Sequence, residues 1–375
     1  MAGTKKKRPT VKLTEEQKKE RNKKRRDAAF RRKIRMTLTN AGFQYFPTTD
    51  KHFSIGHRKV ELDYLFVYDN VILICEDTCS KKKDKDHIRK KSEAFREIQA
   101  NIRVLLDWMK EELPGAGEIV DEYPISRLRV FYIYIPQLEL NLTDDEKKLY
   151  SNLLFWEPET LSYFYKMSQC IYHSARYEIF RFLELKNEDI GPSGSGGSKE
   201  TIKAPIICSE ESMGHRNGIR VVSFMMSADI LLRTSYVLRK DNWENSMFLY
   251  QRLIEKEKVK GIRKFLASKK ETFYNNVIVA LPDNVRFQGE NDQEVSIGEL
   301  GDFQHCKMII PDEMNSICVI DGQHRIFAHY EAPENEKYEK DIAKLRKRLH
   351  LLVTGLVFPA DMPNAERKRI QSEIF

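Results

Sequence analysis

The stretch GPSGSGGS, Gly191 to Ser198, constrains the fold more than any other part of the chain. Glycine and serine bring no side chain able to join a core, and their backbone freedom makes the segment a flexible connector. The 375 residues are enough for two cores. The expected organisation is a basic tail at 1–24, one unit at 25–188, a Gly/Ser linker at 189–199 and a second unit at 200–375. No internal repeat is visible.

Charge is unevenly placed. Residues 1–35 hold 16 Lys/Arg against 4 Asp/Glu, a net of +12, while the whole chain is +8, so the remainder is −4. The basicity therefore belongs to the start of the chain. Such a run is either a solvated arm or a segment that attracts a polyanion by counterion release, which makes DNA a candidate partner. The longest apolar runs, as in NVILIC and RVFYIYI, fall far short of the roughly 20 residues of a membrane helix. The basic start is not followed by the apolar stretch of a secretory signal. The expectation is a cytoplasmic protein with no membrane partner. Six cysteines, at 75, 79, 170, 208, 306 and 318, are scattered without a CxxC pair, so they read as free thiols in a reducing compartment.

Both units read as mixed α/β. In the first, a basic helix is expected over 24–41. Two strands, KVELDYLFVYD and NVILICEDT, meet at the Asp69-Asn70 turn. One amphipathic helix is expected over 86–113, with Ile88, Phe95, Ile98, Ile102, Leu105 and Leu106 on one face. A buried strand, RLRVFYIYI, precedes helices over 157–186. In the second unit GIRVVSFMMSA, NNVIVALP, CKMIIP, SICVI and HLLVTGLVF read as strands. Helices are expected over 227–238, within 244–268 and over 363–373.

Asp63 and Glu76 fall on the two strands of the expected hairpin. Two carboxylates at the ends of paired strands can hold a divalent cation through oxygen, and Mg²⁺ so held activates water and stabilises charge on a phosphate. Glu76 follows VILIC, which reads as a buried central strand, where an unpaired acid is costly. Lys81, Lys82 and Lys83 come just after. This order of helix, strand with Asp, hairpin, strand with Glu and helix resembles the PD-(D/E)xK nuclease family. That resemblance implies a restriction-endonuclease-like mixed sheet with flanking helices, with Asp63 and Glu76 as metal ligands and a lysine beside the reacting phosphate. The family's lysine position holds Thr78 here, so Lys81, Lys82 or Lys83 is expected to reach back in its place.

The second centre is VIDGQHRIFAHYE. A strand ending at Asp321-Gly322 and feeding a helix makes a corner where glycine permits the turn and Asp321 is placed to cap the helix. The helix start and Arg325 both favour an anion, and His324 exchanges a proton near neutral pH. The stretch resembles the signature of the DGQHR-domain proteins, which look related to the ParB/sulfiredoxin superfamily and include DndB-like proteins of DNA-modification systems. YQRLIEKEKVKGIRKFL and FYNNVIVALPD stand upstream in the family's order. The resemblance implies a ParB-like α/β domain that continues past residue 375. It also implies a nucleotide triphosphate, ATP or CTP, held by Asp321, Gly322, Gln323, His324 and Arg325, with Gln251, Arg252 and Asn275-Asn276 as further contacts.

Together these imply a DNA-associated protein of a modification or restriction system directed against foreign DNA, working with other proteins of a DNA-modification operon. An Mg²⁺-dependent nuclease-like unit would be coupled to a nucleotide-binding one. The alternatives are a non-catalytic DNA-binding regulator of the DndB type, which Thr78 favours, and a nucleotidase that docks on DNA. The buried position of Glu76 favours the enzyme.

Overall fold

The computed structural model describes residues 14–79, 85–140, 142–192, 199–208, 218–240, 243, 249–301 and 305–375. The architecture is mixed α/β. Helix α1 spans Glu15–Asn40. It starts well before residue 24 because Thr14 caps it: the Thr14 hydroxyl accepts from the Gln17 N–H, and the Gln17 side chain accepts from the Thr14 N–H. Only its second half packs, through Phe30, Ile34, Thr37 and Leu38.

Five strands form the first sheet in the order β1-β4-β5-β6-β7. They are β1 (Gln44–Phe46), β4 (Tyr64–Tyr68), β5 (Val71–Thr78), β6 (Arg129–Pro136) and β7 (Leu154–Phe155), while β2 (His52–Ile55) and β3 (Arg58–Glu61) make a separate ribbon. β4 and β5 pair antiparallel across Asp69-Asn70, and β5 runs parallel to β6. The single strand expected from Lys59 to Asp69 is thus two strands in different sheets. The break falls at Leu62-Asp63, where the Asp63 carbonyl accepts from the Thr48 hydroxyl (3.0 Å) rather than from a ladder partner. The expected helix over 86–113 is also two, α2 (Lys85–Ala100) and α3 (Ile102–Glu112), because the Asn101 side chain bonds back to the Glu97 carbonyl. The expected apolar face is buried except for Ile102, which is half-buried.

α1, α4 (Pro158–Ile171) and α5 (Arg176–Phe182) belong to the layer that meets the second half of the chain. There β8 (Lys199–Lys203), β9 (Ile206–Cys208), β10 (Arg220–Ser227), β11 (Ser235–Tyr236), β12 (Val277–Ala280), β13 (Arg286–Gln288), β14 (Glu294–Val295), β15 (Lys307–Pro311), β16 (Ile317–Asp321) and β17 (His350–Val357) build two sheets. Their orders are β11-β16-β12-β17-β10-β9 and β14-β13-β15-β8. The helix expected over 227–238 stops at Thr234, and residues 249–255 are not helical before α6 (Lys256–Lys269).

Among the described residues no sheet crosses the linker, but the apolar core does. Trp156, Phe164 and Phe180 share one continuous cluster with Val222, Phe224, Ile254 and Val279. The start of the linker is packed as well: the Gly191 N–H donates to Asn70 Oδ1 (2.8 Å), and Arg127 donates to the Gly191 carbonyl (2.7 Å). Residues 193–198 lie outside the described residues. All six cysteines are free, and Cys75, Cys170, Cys306 and Cys318 are buried. Among the described residues no helix is long and apolar enough to cross a membrane.

Candidate functional sites

Glu76 lies near the end of β5 with 1% of its surface exposed. Tyr64 faces Cys75 across the hairpin, so Asp63 and Glu76 are neighbours at its open end. Asp63 Oδ2 accepts from the Asp77 N–H (2.8 Å), and its charge acts on the Glu76 carboxyl. A third group completes the cluster. Lys91, on α2, places Nζ 2.6 Å from Glu76 Oε2. Burial, and then the Asp63 charge, push the Glu76 carboxyl up to about 8 against the opposing pull of Lys91. Glu76 Oε1 is buried with no donor reaching it.

Lys91 is the residue that sequence reasoning missed. It stands two turns into the helix after β5, where a helical side chain can swing back over the strand end. Helical spacing alone does not reveal that. Lys81, Lys82 and Lys83, expected to fill this role, lie outside the described residues. Around Glu76, a cavity of about 500 Å³ is lined by Arg58, Lys59, Arg89, Lys90 and Lys91 against Glu61 and Glu93. Arg58 and Arg89 each pair with Glu93 at 2.8 Å, so Lys59 and Lys90 carry most of the uncompensated charge.

The opposite face of the same strand end carries Asp77, also missed. It accepts from the Tyr64 hydroxyl (2.6 Å) and from Arg31 Nε of α1 (3.1 Å). The end of β5 is thus gripped by α2 on one face and α1 on the other.

Among the described residues no three His, Cys, Asp or Glu side chains surround one point as a metal cage. Mg²⁺ does not need one, since it keeps several waters and takes one or two carboxylates plus substrate oxygens. The exposed Asp63 carboxylate and the orphaned Glu76 Oε1 fit that pattern.

The second centre forms the expected strand-to-helix corner. β16 ends at Asp321, Gly322 turns at φ +95°, and α7 (Gln323–Phe327) follows. Glycine is favoured because the φ is left-handed; a Cβ would also crowd Val277 at 3.1 Å and displace the end of the Arg325 side chain. All five signature residues line a cavity of about 500 Å³ with Gln251, Arg252, Glu255, Lys258 and Phe375. Asn275 and Asn276 do not line it; Asn276 donates instead to the Thr354 hydroxyl (2.7 Å).

Two expectations about this corner change. Asp321 does not cap the helix; it accepts from Arg325 Nη2 (3.0 Å). With only five residues, α7 has little dipole to offer an anion, so positive charge must come from side chains. Arg252, Lys258 and Arg325 supply it against Glu255 and Asp321. His324 is held neutral because burial pushes its pKa down, and its Nε2 accepts from the Glu255 N–H (3.1 Å).

Gln323 lines the cavity, but its amide is already engaged by protein groups. Its Oε1 accepts from Arg239 Nε (3.3 Å) and its Nε2 donates to the Arg252 carbonyl (3.2 Å). Arg239 is fully buried, pairs with Glu178 of α5, donates to the Tyr163 hydroxyl of α4 (2.9 Å) and lies over the Phe327 ring. The signature's amide is therefore tied through one guanidinium to the other half of the chain. Gln251 secures the same strand from beneath, donating to the Val319 and Ile320 carbonyls.

No protein-family model, curated protein or solved structure matches this chain. What the two centres can do therefore rests on their own geometry and on the motifs they carry.

Proposed function

We propose that the chain is a cytoplasmic, DNA-associated protein of a DNA modification or restriction system, with an Mg²⁺-dependent phosphodiester-cleaving centre at Asp63, Glu76 and Lys91. The observation that carries this reading is the Lys91 ammonium 2.6 Å from a buried Glu76 whose other oxygen has no donor, beside Asp63. Mg²⁺ held by the two carboxylates would activate a water and neutralise phosphate charge. The chain's own groups supply the rest. Lys59 and Lys90 draw a phosphate backbone into the groove, and Lys91 places a fixed positive charge where the phosphate gains negative charge. The likeness to PD-(D/E)xK nucleases supports the assignment, with Lys91 in the role left open by Thr78.

The second centre, on this reading, holds ATP or CTP, with Arg325, Lys258 and Arg252 at the phosphates. Its likeness to the DGQHR signature and its cavity support that. One observation favours a non-catalytic DNA-binding regulator instead: Lys91 is bonded directly to Glu76 and so competes with a cation for it.

Cleavage of supercoiled plasmid with Mg²⁺, with and without ATP or CTP, separates the readings. The enzyme requires Mg²⁺-dependent nicking that Glu76→Ala abolishes and Lys91→Ala lowers by roughly a hundredfold or more. Absence of cleavage by the unaltered chain, or equal cleavage by Glu76→Ala, overturns the enzymatic reading.

A further inference from the structure

The first half of α1 is surface that neither centre uses. Residues 15–26 are all exposed, and no apolar side chain among them meets the body. At about 100° per residue, basic side chains occur on every face of this helix, but the acids gather near the packed face and leave the outward face purely basic. Phe30, Ile34 and Leu38 define the face that packs. Glu16, Glu20 and Asp27 fall within roughly 40° of that face, whereas Arg21, Arg25 and Arg32 lie roughly 140° to 180° from it. The two residues between Arg25 and Arg32 that share the outward face are Ala28 and Ala29, small enough to allow close approach. Among the described residues none of the three arginines pairs with a carboxylate; the ion pairs of this stretch are Lys18–Glu15 and Lys24–Glu20. A helix whose charges served only solubility would scatter both signs around its surface.

We infer that this arginine row is a docking surface for the backbone of duplex DNA. Arg21 to Arg32 spans about 16 Å of helix axis. A duplex carries one charge per about 1.7 Å with both strands counted, so the length alongside the row holds about ten phosphate charges, of which those on the near side can meet the arginines. The outward face has no aromatic or large apolar group of the kind that anchors a folded protein partner. The helix is also anchored. Arg31, one residue before the last arginine of the row, donates to Asp77, next in sequence to Glu76. This contact fixes the row beside the end of β5, on the face opposite the Glu76 cavity. The inference takes its partner from the DNA-associated reading, but it is tested without cleavage.

The test compares two charge-matched triple variants by fluorescence anisotropy on a random-sequence DNA duplex across a salt series. Arg21→Ala/Arg25→Ala/Arg32→Ala removes the outward row. Lys19→Ala/Lys23→Ala/Lys24→Ala removes the same charge from the other faces of the same helix. The first should weaken binding at least about tenfold and lower the log–log salt slope by about 2 to 3, since each phosphate contact contributes about 0.9. The second should cost less than about threefold. Equal losses in the two variants overturn the inference, leaving an unoriented charged arm, and so does an unaltered chain with no affinity for the duplex. Binding is read without Mg²⁺ and without cleavage, so a failed cleavage assay leaves this test intact.

Discussion

Replacing Arg239 by methionine should destabilise the whole molecule. Arg239 has no exposed surface and Glu178 has 4%. Methionine keeps most of the volume but removes the charge. Glu178 would then sit buried with the Tyr163 hydroxyl as its remaining donor (3.1 Å), and Gln323 Oε1 would lose its partner. Breaking a buried pair by removing one member costs about 3–5 kcal/mol, because the survivor stays charged without its counter-ion. That is a large share of the ordinary stability of a domain, about 5–15 kcal/mol. Because the pair joins the two halves, the loss should also uncouple them. Trp243 reports on this interface, packing on Phe164 and Phe182 across the linker. In urea, tryptophan fluorescence and far-UV circular dichroism should give one coincident transition for the unaltered chain. In Arg239→Met the fluorescence transition should come first. Adding Glu178→Gln to Arg239→Met should recover most of the loss by removing the stranded charge. A loss under about 1 kcal/mol, or no recovery in the double variant, refutes the argument.

Glu76→Gln tests the buried carboxyl. Its folded-state pKa of about 8 lies above the ordinary 4.5, so between those values the folded chain holds a proton that the unfolded chain has lost. Stability from this group is thus fully present below about pH 4.5 and lost as pH rises through 8, on the order of 3 kcal/mol between pH 5 and 8. Denaturation midpoints should fall with pH more steeply in the unaltered chain than in Glu76→Gln, and parallel profiles would contradict the assignment. Arg325→Ala should lower ATP or CTP affinity at least about tenfold by calorimetric titration, the worth of one charge-assisted contact. No binding by the unaltered chain would remove the nucleotide reading.

The strands were legible because apolar runs with period-two or continuous burial leave few other options: NVILIC, RVFYIYI and SICVI all became central strands. The corner at Gly322 was legible for a similar reason, since Asp-Gly after an apolar run forces a turn. The sequence was less informative wherever a side chain decided the outcome. Thr48 and Asn101 each took a backbone partner and broke an element that periodicity made continuous. Thr14 and Gln17 extended a helix into a stretch that composition read as a tail. Lys91, Asp77 and the Arg239–Glu178 pair depend on which surfaces meet in three dimensions, and no spacing along the chain encodes that. The five-residue length of α7 was hidden too, because IFAHYE continues a helical pattern that the structure abandons after Phe327.

The core shared by the two halves changes what a connector between Gly191 and Lys199 has to do. A tether between independent domains sets how far they roam. Here the two halves share one apolar cluster and a buried ion pair, and the tether leaves from Gly191, which is itself pinned. Its contribution is to raise the local concentration of one half around the other while they assemble. Once they are joined, a cut in that segment would leave a nicked molecule whose fragments hold together as a non-covalent complex.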